Sequence, residues 1–413
     1  MSNKIKKIKK NNITAYDIYK KFIWKDLSGY VLRTIYKQVI KFFMNSNVII
    51  GDDTMTKYFW LKIILSYLCC EAPIELKGHK DNITTIIRFN DSTLISGSLD
   101  NTIKIWNLNN NSCVRTLHDH SEPISKIIKF NNNIFISGGY DNYIFIWDFK
   151  NDCKCIKKIR ISDAILEITK LNEKQFVFSG LNNNIYLYDF NREHANNILY
   201  HHDNCIKSLI RINDNNFVSG SDDHKSFLCN IRRNETKLIL LNFCHPTLFP
   251  SDNVILKFDD STVIFPVDNL INKKGFLIMF NVNTLKSTNI SVDYDLIDKV
   301  TNIFKFNQKK IICSTARKQM FIIDVSLKKI TNVYDSSYRI TSFVKLNNDT
   351  FVTGSSFSLD SVFKVWNTKD KGKSWNCKDI IIPSVMNQVN LIHKLNDSHI
   401  IIGNKKLIIY NYV

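Results

Sequence analysis

The sequence predicts an all-β fold of eight repeated four-stranded sheets, preceded by an α-helical N-terminal extension. Three observations lead there. Residues 94–107 (LISGSLDNTIKIWN), 135–148 (FISGGYDNYIFIWD) and 217–230 (FVSGSDDHKSFLCN) are copies of one another, and 176–189 (FVFSGLNNNIYLYD) is a weaker copy between them. The closing dipeptides Trp106-Asn107, Trp147-Asp148, Tyr188-Asp189 and Cys229-Asn230 each fall 41 residues after the last, and Phe280-Asn281, Ile323-Asp324, Trp366-Asn367 and Tyr410-Asn411 follow at 51, 43, 43 and 44. The composition, 44% apolar and 23% charged over 413 residues, suits a chain that buries a core.

The first twelve residues, MSNKIKKIKKNN, form a basic tail containing Lys4, Lys6, Lys7, Lys9 and Lys10. This run reads as a nuclear-import signal, a nucleic-acid tail, an anionic-surface contact or simply a solvated segment. It locates part of the net charge of +18: residues 1–72 carry 13 Lys/Arg against 5 Asp/Glu, leaving +10 for the rest. Polar residues follow the tail, so no signal peptide is expected. Residues 13–72 read as a helical module. Leu27, Val31, Ile35, Val39 and Phe43 recur at i, i+4, with Leu32, Tyr36 and Ile40 beside them, which predicts an amphipathic helix over 26–44. Residues 54–70 are apolar nearly all round and predict a second, buried helix, which Pro73 ends. Their most apolar stretch, 58–70, is too short for the about 20 residues that span a bilayer.

From residue 73 onward every unit has one grammar. A short strand such as Ile74-Glu75-Leu76 precedes a turn; an alternating strand follows, Ile83 to Phe89 in the first unit. An Asn/Asp turn then leads to Thr93-Leu94-Ile95-Ser96, and a tight turn to Thr102-Ile103-Lys104-Ile105-Trp106. Short strands with turns every 8–12 residues indicate all-β structure, and four of them in about 40–45 residues make one propeller blade. At these residues the chain resembles the WD-repeat β-propeller family over 73–413, with Gly78-His79 or Asp119-His120, Asp100 or Asp141, and Trp106 or Trp147 carrying the motif. The resemblance implies that 74–76 completes the last blade by pairing with strands from 389–411. The spacing favours eight blades; seven would result if the fifth unit, about 237–281 with long loops at 242–252 and 266–275, were not a blade.

Ser96, His79 and Asp100, and again Ser137, His120 and Asp141, have the composition of a hydrolytic triad. In the family the same residues, with Trp106 and Trp147, form a buried hydrogen-bond chain, and a constellation repeated in neighbouring blades reads as a structural device. No nucleotide, metal or calcium-binding motif is present. The ten cysteines include no CxxC pair, so neither a zinc site nor a redox motif is expected; reduced thiols suit a cytoplasmic or nuclear protein. The sequence therefore predicts no catalytic residues, no metal and no cofactor.

The resemblance implies that recognition falls on the face bearing the loop before the first strand of each blade and the loop between its second and third. Two positions per unit project there. The first row is Thr84, Ser125, Leu166, Lys207, Asn253, Thr301, Thr341 and Asn390; the second is Leu99, Tyr140, Leu181, Asp222, Lys273, Ala316, Leu359 and Gly403. Tyr140, Leu99, Leu166 and Leu181 predict an apolar patch on blades one to three, with Lys207 and Asp222 beside it, suited to a protein or peptide partner. Neither row contains Arg, which disfavours phosphate reading, and one aromatic disfavours nucleic acid.

A helical module ahead of such a propeller resembles the F-box/WD-repeat layout of ubiquitin-ligase substrate receptors. The segment Trp60-Leu61-Lys62-Ile63-Ile64-Leu65-Ser66-Tyr67-Leu68 resembles an F-box opening but is set too close to the first blade. A diverged F-box over residues 13–60 would lack the Leu-Pro start, and the alternative is a local helix pair docked on the propeller. The function expected is a non-enzymatic protein–protein interaction scaffold. The alternative is an F-box-like substrate-recognition subunit of a cullin-type ubiquitin ligase, with the N-terminal helices on its adaptor.

Overall fold

In the computed structural model the repeat becomes eight antiparallel sheets of four strands each. The structure describes residues 74–411, except 193, 242–254, 270–273, 291–299, 317, 337–338, 357–361, 369–374, 382–390 and 405. The basic tail, the two N-terminal helices and the F-box-like segment lie outside the described residues. Residues 74–409 group as one unit. Among the described residues no helix is long and apolar enough to cross a membrane.

After β1 (Ile74–Leu76), blade one contains β2 (Ile83–Arg88), β3 (Thr93–Ser98), β4 (Ile103–Asn107) and β5 (Ser112–Leu117), paired in that order from the innermost strand outward. The innermost strands of successive blades neighbour one another round the whole ring, and blade eight neighbours blade one. β1 closes this ring. It pairs antiparallel with Leu407–Asn411, Ile74 opposite Ile409 and Leu76 opposite Leu407, and so supplies the fourth strand of blade eight. The fifth unit is a true blade, Leu256–Lys257, Thr262–Asn269, Lys274–Asn281 and Lys286–Ile290, so the count is eight.

The expected loop at 266–275 is mostly strand. Pro266 pairs opposite Leu277 and Asn269 opposite Lys274. Among the described residues the inner strand Leu256–Lys257 pairs with Ile264 and Val263, and Pro266 is accommodated opposite Leu277 of the following strand.

The apolar pattern explains the stacking. β3 is buried along five of its six residues, because both faces of each sheet are covered by neighbouring blades. The core therefore lies between sheets: Ile95, Ile103 and Ile105 of blade one pack with Ile124, Phe135 and Trp147 of blade two. Leu76, Leu94, Trp106, Ile401 and Leu407 fill the same space between blades eight and one. The tight turns after the second strands place Asn101, Asn142 and Asn183 at φ of 65°, 66° and 65°, a region that asparagine tolerates better than most residues. The outermost strands are sheet edges, and Lys154–Arg160 is blunted by four basic residues and a register shift.

A second repeat stitches the blades together. Each inner strand ends in a basic residue followed by an apolar one and an Asn or Asp: Arg88, Lys129, Lys170, Arg211, Lys257, Lys305, Lys345 and Lys394. Seven of these side chains donate to the backbone carbonyl that follows the preceding blade's cation, for example Lys129 Nζ to Phe89 O at 2.7 Å and Lys170 Nζ to Phe130 O at 2.6 Å. Lys257 reaches Ile212 O at 2.6 Å, Arg211 reaches Leu171 O, Lys305 reaches Phe258 O and Lys394 reaches Leu346 O. Arg88 reaches Leu395 O and closes the series across the join. Lys345 lies over the Phe306 ring, 5.2 Å from its centre. Five of the cations also pair with a carboxylate three residues on, in Arg88–Asp91, Lys170–Glu173, Arg211–Asp214, Lys257–Asp260 and Lys394–Asp397. Blades two, six and seven have Asn132, Gln308 and Asn348 at that place.

Candidate functional site

The two Ser/His/Asp sets sit at matching places in blades one and two. His79 Nδ1 lies 2.9 Å from Asp100 Oδ2 and its Nε2 2.7 Å from Ser96 Oγ; the Trp106 indole N–H donates to Ser96 Oγ at 2.8 Å. In blade two the corresponding distances for His120, Asp141, Ser137 and Trp147 are 2.8, 2.8 and 2.9 Å. Electrostatics sets the direction of the first chain. Burial holds His79 below the ordinary histidine range, against the pull of Asp100. Burial works against the Asp100 carboxylate, but hydrogen bonds from Thr102, the Lys80 N–H and His79 outweigh it and bring its pKa down to about 2. A neutral His79 thus donates from Nδ1 to Asp100 and accepts at Nε2 from the Ser96 hydroxyl, which accepts from Trp106. Ser96 and Ser137 are fully buried, so neither hydroxyl meets a substrate; the chain satisfies four buried polar groups together.

A third copy was not among the residues singled out in the sequence. His202 Nδ1 lies 2.8 Å from Asp223 Oδ2 and Nε2 2.9 Å from Ser219 Oγ, with Cys229 where the Trp would be. Its signal was the spacing, since Ser and Asp follow His by 17 and 21 residues in all three blades. Blade three has lost the set. Ile161, Phe178, Asn182 and Tyr188 occupy those offsets, and Phe178 stacks on Tyr186 at 5.1 Å instead. Among the described residues no group of three His, Cys, Asp or Glu could hold a metal ion.

The eight residues of the expected partner face on blades one to four fall into two structural classes. Thr84, Ser125, Leu166 and Lys207 each sit at a β-bulge: pairing passes from Ile83 to Thr85, Ile124 to Lys126, Ile165 to Glu167 and Ile206 to Ser208 with one residue skipped. A bulge re-aims the skipped side chain. Thr84 Oγ1 donates to Ile124 O of the next blade at 2.6 Å and Ser125 Oγ to Gly138 O at 3.0 Å. Leu99, Tyr140, Leu181 and Asp222 follow the second strands, and each backbone N–H donates across to the loop before the first strand: Leu99 to Asn82 O, Tyr140 to Pro123 O, Leu181 to Ala164 O and Asp222 to Cys205 O, all at 2.8–3.1 Å. This repeated bond fixes the second row beside the first.

Leu99, Tyr140 and Leu181 are 36%, 40% and 45% exposed, one on each of three consecutive blades, and Leu166 is half-buried. On blade four Lys207 Nζ faces Asp222 Oδ2 at 3.6 Å, an ion pair where the apolar row stops. On blades six and seven Thr301 and Thr341 turn inward and are buried, so they leave the face. Ala316 is exposed and Gly403 closes a strand of blade eight; Asn253, Lys273, Leu359 and Asn390 lie outside the described residues.

Comparison with known proteins agrees with this geometry. Residues 71–107 and 111–148 match the family model for the WD domain, G-beta repeat. A 45-residue stretch is 47% identical to F-box/WD repeat-containing protein 7 of Drosophila melanogaster, covering 11% of this chain and 3% of that protein. A 42-residue stretch is 48% identical to the probable E3 ubiquitin ligase complex SCF subunit scon-2 of Neurospora crassa, covering 10% and 6%. The crystal structure of the computationally designed Ika8 protein superposes with TM-score 0.63 at 16% identity, over 82% of this chain and 98% of that one. The structure of U3-55K superposes at 0.53 and 13% identity, over 82% and 98%. The chain carries WD repeats in an eight-bladed β-propeller.

Proposed function

We propose that this WD-repeat propeller is a non-enzymatic, cytoplasmic protein-interaction scaffold whose partner seats on Leu99, Tyr140 and Leu181. The observation that carries the reading is the row itself. Three large apolar side chains stand exposed at one repeated position on neighbouring blades, each held by the same backbone bond. A rigid, spaced apolar row bordered by an ion pair has the character of an interface centre with a polar rim. The His/Ser/Asp sets support the non-enzymatic reading because they repeat and their hydroxyls are buried. The test is affinity capture with mass spectrometry on the wild-type chain and on Tyr140→Asp/Leu181→Asp. The scaffold reading expects a partner lost from the double variant, and an unchanged partner set would refute it.

A second reading, an F-box-like substrate-recognition subunit of a cullin-type ubiquitin ligase, is favoured by the short matches to an F-box/WD repeat protein and to an SCF subunit. In that reading the face takes the substrate and residues 13–72 contact the adaptor. Capture of a cullin with its adaptor, lost when residues 1–72 are removed, would establish it. Capture free of ligase components would exclude it.

A further inference from the structure

We propose that the cleft between blades six and seven, at the end of the propeller opposite the Leu99–Tyr140–Leu181 row, binds a compact phosphate-rich anion. Two independent observations place it there. The first is a gap in the charge balance of the inter-blade cations. Five of the eight pair with a carboxylate three residues on, and blades six and seven are the only neighbouring two that do not. The second is shape: an open cleft of about 660 Å³ lies at this place, lined by Lys305, Lys309, Lys310 and Lys345 and by a single carboxylate, Asp324.

Of the four lysines, Lys310 stands opposite Asp324 in the sheet and is balanced by it, so Lys305, Lys309 and Lys345 carry the excess charge, and Asp324 is already engaged. Its Oδ1 accepts from the Ser326 hydroxyl at 2.6 Å and the Leu327 N–H at 3.0 Å. Two of the ammonium groups are held in place before any ligand arrives. Lys305 donates to Phe258 O and lies 4.8 Å from the centre of the Phe258 ring; Lys345 reaches Asn348 Oδ1 at 3.4 Å over Phe306. An ammonium has three N–H donors and each of these contacts uses one, so most of the donors remain for a ligand. Several cations converging on one small volume match a ligand whose charges are equally crowded, as in linked phosphates, better than the spaced carboxylates of an acidic peptide. The one aromatic lining the cleft, Phe306, is only 2% exposed, so there is no platform on which nucleic-acid bases could stack.

The experiment is calorimetric titration of the full chain with sodium tripolyphosphate at about 0.05 M and about 0.2 M salt. Lys309 is exposed, so Lys309→Glu keeps the fold; Lys345→Met keeps the aliphatic stem and removes the ammonium. The expected result is one-to-one binding that weakens with salt and loses at least about tenfold in affinity in either variant. Lys207→Gln, on the opposite face, and a chain with Lys4, Lys6, Lys7, Lys9 and Lys10 changed to Gln should bind like the wild type. No binding, equal binding by all variants, or loss confined to the tail variant overturns the proposal. A single-stranded oligonucleotide that binds more tightly than tripolyphosphate and is lost in the same variants overturns the assigned ligand class.

Discussion

Replacing Ser137 by Ala removes the hydroxyl at the middle of the blade-two chain. Ser137, Trp147 and His120 are 0%, 1% and 4% exposed, so water cannot take its place without opening the sheet. Two groups lose their partner at once: the Trp147 N–H, 2.9 Å from Oγ, and His120 Nε2, 2.8 Å from it. Leaving a buried polar group unpaired costs about 1–3 kcal/mol, so Ser137→Ala should destabilise blade two by about 2–6 kcal/mol. A loss near 3 kcal/mol speeds amide exchange through opening by about a hundredfold. The assay is hydrogen exchange of Ile134–Gly139 and Tyr143–Asp148, with Lys310–Thr315 of blade six as internal reference. Ser179→Ala is the matched control, because the buried Ser179 hydroxyl has no hydrogen-bond partner among the described residues, and its removal should be neutral or stabilising. Adding Trp147→Phe to Ser137→Ala removes one orphaned donor, so the two costs should fall short of additive. Exchange of Ser137→Ala like the wild type, or an equal cost for Ser179→Ala, would show that the Ser137 hydroxyl does not hold the chain together.

Gly138→Ala should cost about 1–3 kcal/mol by overpacking, because a Cβ there would lie 2.7 Å from Ile165 Cγ2 and 2.8 Å from Ile168 Cδ1 of blade three; an unchanged urea midpoint would contradict it. Lys129→Met keeps the stem but removes the ammonium from Phe89 O, and should lower stability by about 1 kcal/mol, read from the same midpoint. Stability should fall on acidification from pH 7.5 to 5. Burial holds His79 and His202 below their ordinary 6.5 despite Asp100 and Asp223, and burial then Arg88 does the same for His393, so the unfolded chain takes up these protons first and the contribution is lost as pH drops through and below 6.5. Asp100, brought from 3.8 to about 2, keeps its contribution above about pH 4 and loses it from there towards 2. A midpoint that is flat or rises towards acid would show that these buried histidines do not govern the pH dependence.

The repeat was legible because its signals are local. The 41-residue spacing, the alternation in Ile83–Arg88 and the Asp-Asn turns each act within one unit, so four strands per blade could be read directly, whereas closure by Ile74–Leu76 came from the family resemblance. The strand at Pro266 could not, since whether a strand tolerates proline depends on whether a neighbouring strand needs its N–H, which is a tertiary fact. Thr301 and Thr341 illustrate the same limit: the bulge position is visible in the pattern, but burial depends on what the adjoining blades place over it. The inter-blade cations were written in the sequence as a basic residue, an apolar residue and Asn or Asp, eight times over. Their meaning appears only when the ring brings each side chain to the preceding blade's carbonyl.

Seating of a protein partner on the second-row residues of blades one to three is open to direct measurement. Hydrogen exchange of the full-length chain, alone and with the partner obtained by affinity capture, tests it most directly. The expected result is slowed exchange in residues 81–84, 99–101, 122–125, 140–142, 163–166 and 181–183, with the outer strands Ser112–Leu117 and Lys154–Arg160 unchanged. Slowed exchange on those outer strands, with the residue 99, 140 and 181 turns unaffected, would contradict it.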